Sequence, residues 1–236
     1  MALDKVIDST VLDNILTSIA DAIREKAGTS DTMAFPDGFV EGINGISGGD
    51  EDPLVEQFRR VCTRDKNTPI TSIPEDITSI GSSAFYQCTN LALTSLPSGV
   101  TSIGNNAFYQ CTRLALTSLP SGVTSIPYEG FMNSGIKISQ LPPQVTTIGA
   151  EGFRQCNNIK TMVFPASVSS IGSWAFFSCD SLTSVTFEGT PKNINNSAFQ
   201  TNLKLTTINV PWAEGAVANA PWGATNATIN YNYTGE

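Results

Sequence analysis

Apolar residues of this chain recur at fixed intervals, separated by polar ones, over residues 69–211. A phenylalanine returns every 22 or 23 residues, at Phe85, Phe108, Phe131, Phe153, Phe176 and Phe199. An isoleucine stands five residues before each of them, at Ile80, Ile103, Ile126, Ile148, Ile171 and Ile194. A unit this short cannot enclose a core of its own, so such a period is typical of repeat proteins. We therefore expect each unit to bury its apolar side against its neighbours.

Within each unit, two stretches predict short strands. Segments such as V-T-S-I and L-T-S-V-T-F alternate apolar and polar residues, as a strand with one buried face does. Proline and glycine between them mark turns, and the A-F-x-x-C segment favours a single helical or 3₁₀ turn. The first three units run L-x-L-x-x-L-P, whereas later ones run L-x-x-V-x-F. We expect a solenoid with a parallel sheet on at least one face, and a kink or register change near residues 127–140.

The repeated pattern I-G-x-x-A-F-x-x-C-x-x-L resembles the units of BspA-type leucine-rich-repeat proteins. The resemblance implies an α/β fold, a right-handed leucine-rich-repeat solenoid with short parallel strands. It would occupy residues 54–211, including an N-terminal capping helix at about 54–63. It also implies a protein that acts by binding, usually at a bacterial surface, and not by catalysis.

The segment before the repeats predicts two helices. Within residues 4–27, one helical stripe carries the apolar residues Val6, Leu12, Ile15, Leu16, Ile19 and Ile23, and a second amphipathic segment follows Pro36. We expect a helical hairpin over residues 1–46, followed by a flexible acidic linker at 47–53. The hairpin resembles a unit of phage and prophage tail-associated proteins, which implies attachment or homo-oligomerisation. The alternative is a hairpin that packs on the first coil.

The C-terminal residues 212–236 depart from the repeat. They carry four aromatic side chains, Trp212, Trp222, Tyr231 and Tyr233. Because the last coil of a solenoid leaves an apolar face open, this segment predicts an aromatic C-terminal cap. A sugar-binding aromatic patch is the alternative interpretation.

Composition excludes several classes of function. The chain has 236 residues with 13 basic and 21 acidic side chains, a net charge of −8, and lacks a basic stripe that could bind nucleic acid. It contains no histidine, which removes the usual nucleophile triads and most catalytic zinc sites. No continuous apolar run is long enough to span a membrane, and no secretory signal is visible at the N-terminus. We predict no cofactor.

Four of the five cysteines, Cys88, Cys111, Cys156 and Cys179, lie three residues after a repeated phenylalanine. Neighbours in such a column point the same way, which suits neither disulfides nor a metal site. We interpret them, and Cys62, as structural thiols. The acids of the repeats fall on different coils and, apart from one neighbouring pair, in scattered phase, so a catalytic carboxylate pair is the less favoured alternative.

Residues that directly follow the repeated phenylalanines are the candidate ligand-binding residues: Tyr86, Tyr109, Arg154 and Phe177. If each phenylalanine points inward, the next side chain lies outward, and exposed aromatic side chains are typical interaction anchors. A polar strand face is the other candidate surface; its members are Thr101, Thr124, Thr146, Thr183 and Thr186.

The sequence thus predicts a non-enzymatic binding or adhesion module at a bacterial surface or phage tail, with a protein or surface glycan as its partner. Two alternatives stay open. One is an intracellular or secreted protein-interaction scaffold, and the other is a carbohydrate-active enzyme that uses two carboxylates.

Overall fold

A computed structural model describes residues 5–7, 71–73, 75 and 77–235, with the backbone alone at 5–7. The described chain winds into about seven coils, each hydrogen-bonded to the next. Each coil has two sides of extended backbone and a third side made of turns. The expected solenoid with parallel strands is therefore confirmed.

The V-T-S-I segments form the first side. Its strands are β2 Ile77–Ile80, β3 Ser102–Ile103, β4 Ser125–Ile126, β5 Thr147–Ile148, β7 Ser170–Ile171 and β9 Asn193–Ile194. They pair in parallel in the orders β2-β3 and β4-β5-β7-β9. The isoleucine that ends each strand is buried, which gives the inward half of the alternation.

The second side becomes a regular sheet only from the fourth coil onward. Its strands are β6 Thr161–Phe164, β8 Ser184–Phe187, β10 Thr207–Asn209 and β11 Thr228–Asn230, in the order β6-β8-β10-β11. In the third coil the middle buried residue, Ile138, lies two positions after Ile136, whereas in the fourth coil Met162 lies three positions after Ile159. The register of the second side therefore changes between these two coils, after the segment 127–140 in which a kink or register change was expected.

The shortened third unit closes around Gly135. A Cβ atom there would lie 2.4 Å from the carbonyl oxygen of Leu114 and 2.5 Å from that of Thr112. The glycine N–H donates to the carbonyl of Cys111 at 3.0 Å. Loss of one residue between Ser134 and Ile136 thus brings the backbone so close to the preceding coil that no side chain fits.

The core is a ladder of stacked phenylalanine rings. Its members are Phe85, Phe108, Phe131, Phe153, Phe176 and Phe199, with successive ring centroids 5.4, 5.2, 5.5, 5.1 and 5.5 Å apart. We call this set the phenylalanine ladder. Interplanar angles of 9–26° keep the rings nearly parallel, and all six are buried. The ladder passes the shortened third unit without a break.

The helical or 3₁₀ turn predicted around each phenylalanine is present only as tight turns, each closed by a bond to the third preceding residue. In the described residues this side consists of tight turns, such as those closed by Tyr86 N–H to Ser83 O and Cys88 N–H to Phe85 O. The N–H groups of Phe85 and Gln87 instead donate to carbonyl oxygens of the next coil, those of Ala107 and Tyr109, at 2.8 and 2.7 Å. A helix would need these groups internally, so the described residues form a parallel-strand β-solenoid. Within residues 71–73, 75 and 77–235 no helix occurs, and therefore none that is long and apolar enough to cross a membrane.

At the N-terminus, Lys5–Ile7 forms strand β1, which pairs in parallel with β2. The predicted helix over 4–27 is therefore wrong at these three residues. The reason is that β2 offers an unpaired sheet edge, and two β-branched residues, Val6 and Ile7, suit a strand there. The remainder of the hairpin, the linker at 47–53, the capping helix at 54–63 and Cys62 lie outside the described residues.

The C-terminal segment continues the coil. The turn bonds Ala224 N–H to Pro221 O and Ala227 N–H to Ala224 O repeat those of the first coil, and β11 extends the second sheet. Pro221 takes the phenylalanine position, while Trp222 fills the interior and is fully buried. Trp222 packs against Phe187 and Trp212, with ring centroids 6.2 and 6.4 Å away.

Candidate ligand-binding flank

The turns that carry the phenylalanine ladder also present two rows of outward side chains. In each turn they are the residues two before and one after the ladder phenylalanine, joined in the third coil by Tyr128. We call this surface the turn flank; besides Tyr128, it comprises Ser83, Asn106, Glu129, Glu151, Trp174 and Ser197 in one row, and Tyr86, Tyr109, Met132, Arg154, Phe177 and Gln200 in the other. All four predicted site residues lie on it.

Tyr86 and Tyr109 form a stacked pair at one end of the flank. Their ring centroids are 4.7 Å apart and their planes differ by 7°. Tyr86 is 40% exposed and Tyr109 is half-buried. Burial raises the pKa of Tyr109 above its usual value, and nearby Tyr86 and Glu129 raise it further. The two rings therefore cover one face of each other, so a ligand meets the pair mainly at its edges and outer face.

Arg154 and Phe177 form the second pair. The guanidinium carbon lies 5.0 Å from the Phe177 ring centroid, in cation–π geometry. Nη1 of Arg154 also donates to Oε2 of Glu151 at 2.7 Å. The charge of Arg154 is thereby balanced and its plane is fixed, so this side chain is a positioned hydrogen-bonding group more than a free cation.

The expectation that the acids of the repeats are scattered in phase is wrong for Glu129 and Glu151. Both stand two residues before a ladder phenylalanine, on adjacent coils. Oε2 of Glu129 accepts from Nδ2 of Asn106 at 2.6 Å. Glu129 also accepts a hydrogen bond from Tyr128, which raises the pKa of that phenol to about 12. Each carboxylate already has an internal partner, which holds it in place on the flank.

Sequence reasoning missed Tyr128 and Trp174, which are 44% and 42% exposed. Trp174 Nε1 donates to Oε1 of Gln200 at 3.1 Å, so the indole is tied to the next coil. The signal was present in the sequence. In the other coils the row of Trp174 holds Ser, Asn or Glu, and a tryptophan there departs from the pattern.

The threonine-rich strand sides offer less to a ligand. The hydroxyl of Thr183 donates to the carbonyl of Lys160 at 3.0 Å, and Thr101 and Thr146 make the same bond to the preceding coil at 3.4 Å. Since these hydroxyl groups already bond the backbone, they serve the stack of coils.

The cysteine column bonds the ladder carbonyls. The thiols of Cys111, Cys156 and Cys179 donate to the carbonyl oxygens of Phe85, Phe131 and Phe153 at 2.9, 2.9 and 3.0 Å. In the sixth coil Asn202 replaces the cysteine and donates to Phe176 O at 2.7 Å. Burial raises the pKa of all three thiols, that of Cys156 to about 12. The four described cysteines form no disulfide with one another, and the described residues contain no cluster of metal-ligating side chains.

Several solved structures are similar to this chain. A leucine-rich repeat protein from Bacteroides ovatus is 27% identical with a TM-score of 0.52, over 64% of this chain and 41% of that protein. T. pallidum leucine-rich repeat protein is 32% identical with a TM-score of 0.49, over 60% of this chain and 68% of that one. The pneumococcal vaccine antigen PcpA is 18% identical with a TM-score of 0.51, over 70% of this chain and 42% of that protein.

The match therefore spans less than half the length of the first and third of these proteins. No curated protein matches the chain. The family described as BspA type leucine rich repeat region matches in six copies over residues 60–153 and 124–215, which together cover most of the chain. The repeats identified in the sequence, the coils of the fold and this match agree: the chain belongs to the BspA-type leucine-rich-repeat family.

Proposed function

We propose that this protein is a non-enzymatic recognition module at a bacterial surface, which binds a protein or glycan through the turn flank. One observation carries the proposal. Within residues 71–73, 75 and 77–235, four large hydrophobic side chains are exposed, and three of them, Tyr86, Tyr128 and Trp174, lie on the turn flank. Aromatic groups concentrated on one exposed surface mark interaction sites, whereas scattered ones do not.

The family supports this proposal. Proteins of the BspA type are typically surface-associated, and leucine-rich-repeat proteins generally bind proteins or surfaces and are generally non-enzymatic. A solenoid offers an extended surface on which equivalent side chains recur on every coil, so it holds a partner by many small contacts. The turn flank provides such a surface over six successive coils.

The carbohydrate-active enzyme is the less favoured candidate. Glycoside hydrolysis needs one carboxyl group that protonates the leaving group and another that acts as nucleophile or base. Glu129 and Glu151 are adjacent, but each is bonded to a neighbouring side chain of the flank. We therefore assign them a positioning role and expect no release of reducing sugar from any glycan.

For residues 1–46 we infer an attachment or oligomerisation role, from the resemblance of their sequence to tail-associated proteins of phages. In this proposal the segment associates between copies or with a carrier. The solution mass of the full chain and of a chain that starts at residue 53 tests it. Monomers of both chains would contradict the role.

The flank is tested with labelled protein on intact bacterial and epithelial cells. We expect the double variant Tyr86→Ser, Tyr109→Ser to lose most of the cell-bound signal. The matched control is Leu203→Ser, because Leu203 is 71% exposed but lies off the flank. Equal binding by wild type and the double variant would contradict the proposal. Labelling of the native protein only after permeabilisation of its source cells would favour the intracellular scaffold.

A further inference from the structure

The exposed aromatic side chains of the turn flank occur on alternate coils. Tyr86 belongs to the coil of Phe85, Tyr128 to the coil of Phe131, and Trp174 to the coil of Phe176. One coil lies between the first two, and one coil lies between the second and third. The three rings stand at different positions of the repeat, one residue after, three before and two before the ladder phenylalanine. A ligand that extends along the solenoid axis and covers the width of the flank would therefore meet an exposed aromatic ring on every second coil.

The length of that step favours a sugar over a peptide. Stacked rings of successive coils lie 4.7 Å apart on the flank and 5.1–5.5 Å apart in the ladder. An extended peptide advances only about 3.3 Å per residue, so its side chains fall out of step with the coils. One pyranose unit of an extended β-linked chain is close in length to the rise from one coil to the next. Since alternate units of such a chain are related by half a turn, every second sugar presents the same face.

Trp174 is held in a conformation that a tryptophan adopts at a cost. Its φ is 53°, in the left-handed region. The corresponding residues of the four preceding coils, Ser83, Asn106, Glu129 and Glu151, have φ values of 50–58°, so the repeat imposes this conformation and Trp174 is its bulkiest occupant. At 42% exposure the indole makes one hydrogen bond to Gln200 and leaves much of its surface open to a ligand. Its presence is explained if the indole face contacts a ligand.

The polar groups between the aromatic rings suit neutral hydroxyl groups. Side-chain bonds orient planar amides and carboxylates on and beside the flank: Gln87 to Gln110 at 3.1 Å, Asn106 to Glu129 at 2.6 Å and Arg154 to Glu151 at 2.7 Å. The residues that make up the turn flank include three charged ones, Glu129, Glu151 and Arg154, which sum to one negative charge. Such a surface disfavours acidic polysaccharides and can hydrogen-bond neutral ones.

We infer that the turn flank binds a neutral, extended, β-linked polysaccharide of the cellulose or chitin type, lying along the solenoid axis. Sugar rings stack on Tyr128 and Trp174, and the amides and carboxylates between them bond the hydroxyl groups. The inference rests on the proposed function, since it names the ligand class of the same surface.

Tryptophan fluorescence of the full chain tests the inference directly. The chain has three tryptophans, and Trp212 and Trp222 are buried, so iodide quenching reports on Trp174. The probes are cellohexaose, chitohexaose, xylohexaose and mannohexaose, with the α-linked maltohexaose as control. We expect at least one β-linked hexaose to protect Trp174 from iodide. It should bind about tenfold or more tightly than maltohexaose, and more tightly than its own disaccharide.

Calorimetry on variants locates the site. Trp174→Asn, which suits the left-handed backbone, and Tyr128→Ser should each weaken binding of that hexaose by about tenfold, the value of one lost stacking contact. Leu203→Ser, off the flank, should leave it unchanged. No binding of any β-linked hexaose, equal binding of maltohexaose, or binding unaffected by both flank variants would each overturn the inference.

Treated cell surfaces separate the two proposals. Trypsin removes protein from a cell surface and leaves polysaccharide in place. If trypsin treatment abolishes the flank-dependent binding of the labelled chain, the flank binds protein: the polysaccharide inference then fails and the proposed function stands. If flank variants leave cell binding unchanged, both fail.

Discussion

The thiol of Cys156 lies 2.9 Å from the carbonyl oxygen of Phe131, one coil before it. The cysteine side chain thus donates a hydrogen bond between two successive rungs of the phenylalanine ladder. Cys111 and Cys179 make the same contact to their own preceding coils. The column therefore functions as a row of small buried donors, and its chemistry follows from burial.

These thiols should make stability depend on alkaline pH. Burial raises the pKa of Cys156 from 9.0 to about 12, so the thiol ionises in the unfolded chain before it ionises in the folded one. Its contribution to stability is full below pH 9 and is lost between pH 9 and about pH 12. The Cys156→Ser variant should lose less stability over this range, by up to about 1.4 kcal/mol per pH unit. Urea titrations of both proteins at several pH values measure the difference; parallel pH profiles would contradict it.

The same burial should protect the thiols from reagents. We expect Cys111, Cys156 and Cys179 to remain unmodified by a thiol-reactive chromogen in the native state, and half-buried Cys88 to react first among the four described cysteines. Mass spectrometry of peptides after timed labelling identifies the order. Rapid native labelling of Cys156 would show that the column opens.

Loss of one ring should weaken the whole stack. Phe131 is fully buried and stacks on Phe108 and Phe153 at 5.2 and 5.5 Å. Phe131→Ala should lower the free energy of unfolding by about 3–5 kcal/mol, because the cavity cannot be filled by rigid neighbouring coils. The matched control is Phe177→Ala, a half-buried residue of the turn flank, which should cost clearly less. Equal losses in urea denaturation would be inconsistent with a ladder-based core.

Gly135 should not tolerate even a methyl group. A Cβ at this position would lie 2.4 Å from a backbone oxygen of the preceding coil, so Gly135→Ala should destabilise by about 1–3 kcal/mol or more. Gly99 is the control, because its Cβ would meet nothing closer than 3.7 Å. Gly99→Ala should change stability by less than about 1 kcal/mol. Thermal unfolding of the two variants measures the difference. Equal decreases in Tm would mean that the third coil relaxes to accommodate the methyl group.

Trp174 should lower the stability of the fold while it strengthens ligand binding. Because its φ of 53° is left-handed, Trp174→Asn should raise the free energy of unfolding by about 1 kcal/mol even though it removes the contact with Gln200. The same variant should weaken ligand binding. A loss of stability equal to that of a core substitution would indicate that the indole is part of the fold and not of the binding surface.

Much of the fold could be predicted from the sequence because the repeat is explicit. The columns of phenylalanine and isoleucine, the parallel strands and the register change between the third and fourth coils all follow from residue types at fixed spacing. The turn around each phenylalanine could not be predicted reliably. Whether the N–H groups of Phe85 and Gln87 bond within the segment or across to the next coil depends on a neighbour that local pattern does not include.

The candidate site was predicted in part. The outward direction of Tyr86, Tyr109, Arg154 and Phe177 follows from the inward direction of the phenylalanine before each. Tyr128 and Trp174 were missed, because each occurs once in its row and periodicity detects only what recurs. The link between Arg154 and Glu151, and the alignment of Glu129 with Glu151, depend on how adjacent coils are superposed.

By itself, the sequence determined that this chain is a stack of short coils, since units of 22 or 23 residues with matched apolar columns have no other way to bury their side chains. Only the tertiary structure decided that the turn side is not helical, that residues 212–230 add another coil, and which polar side chains meet on the flank. These features are set by hydrogen bonds and contacts between coils, across separations of 21 to 26 residues, where residue type alone does not specify the partner.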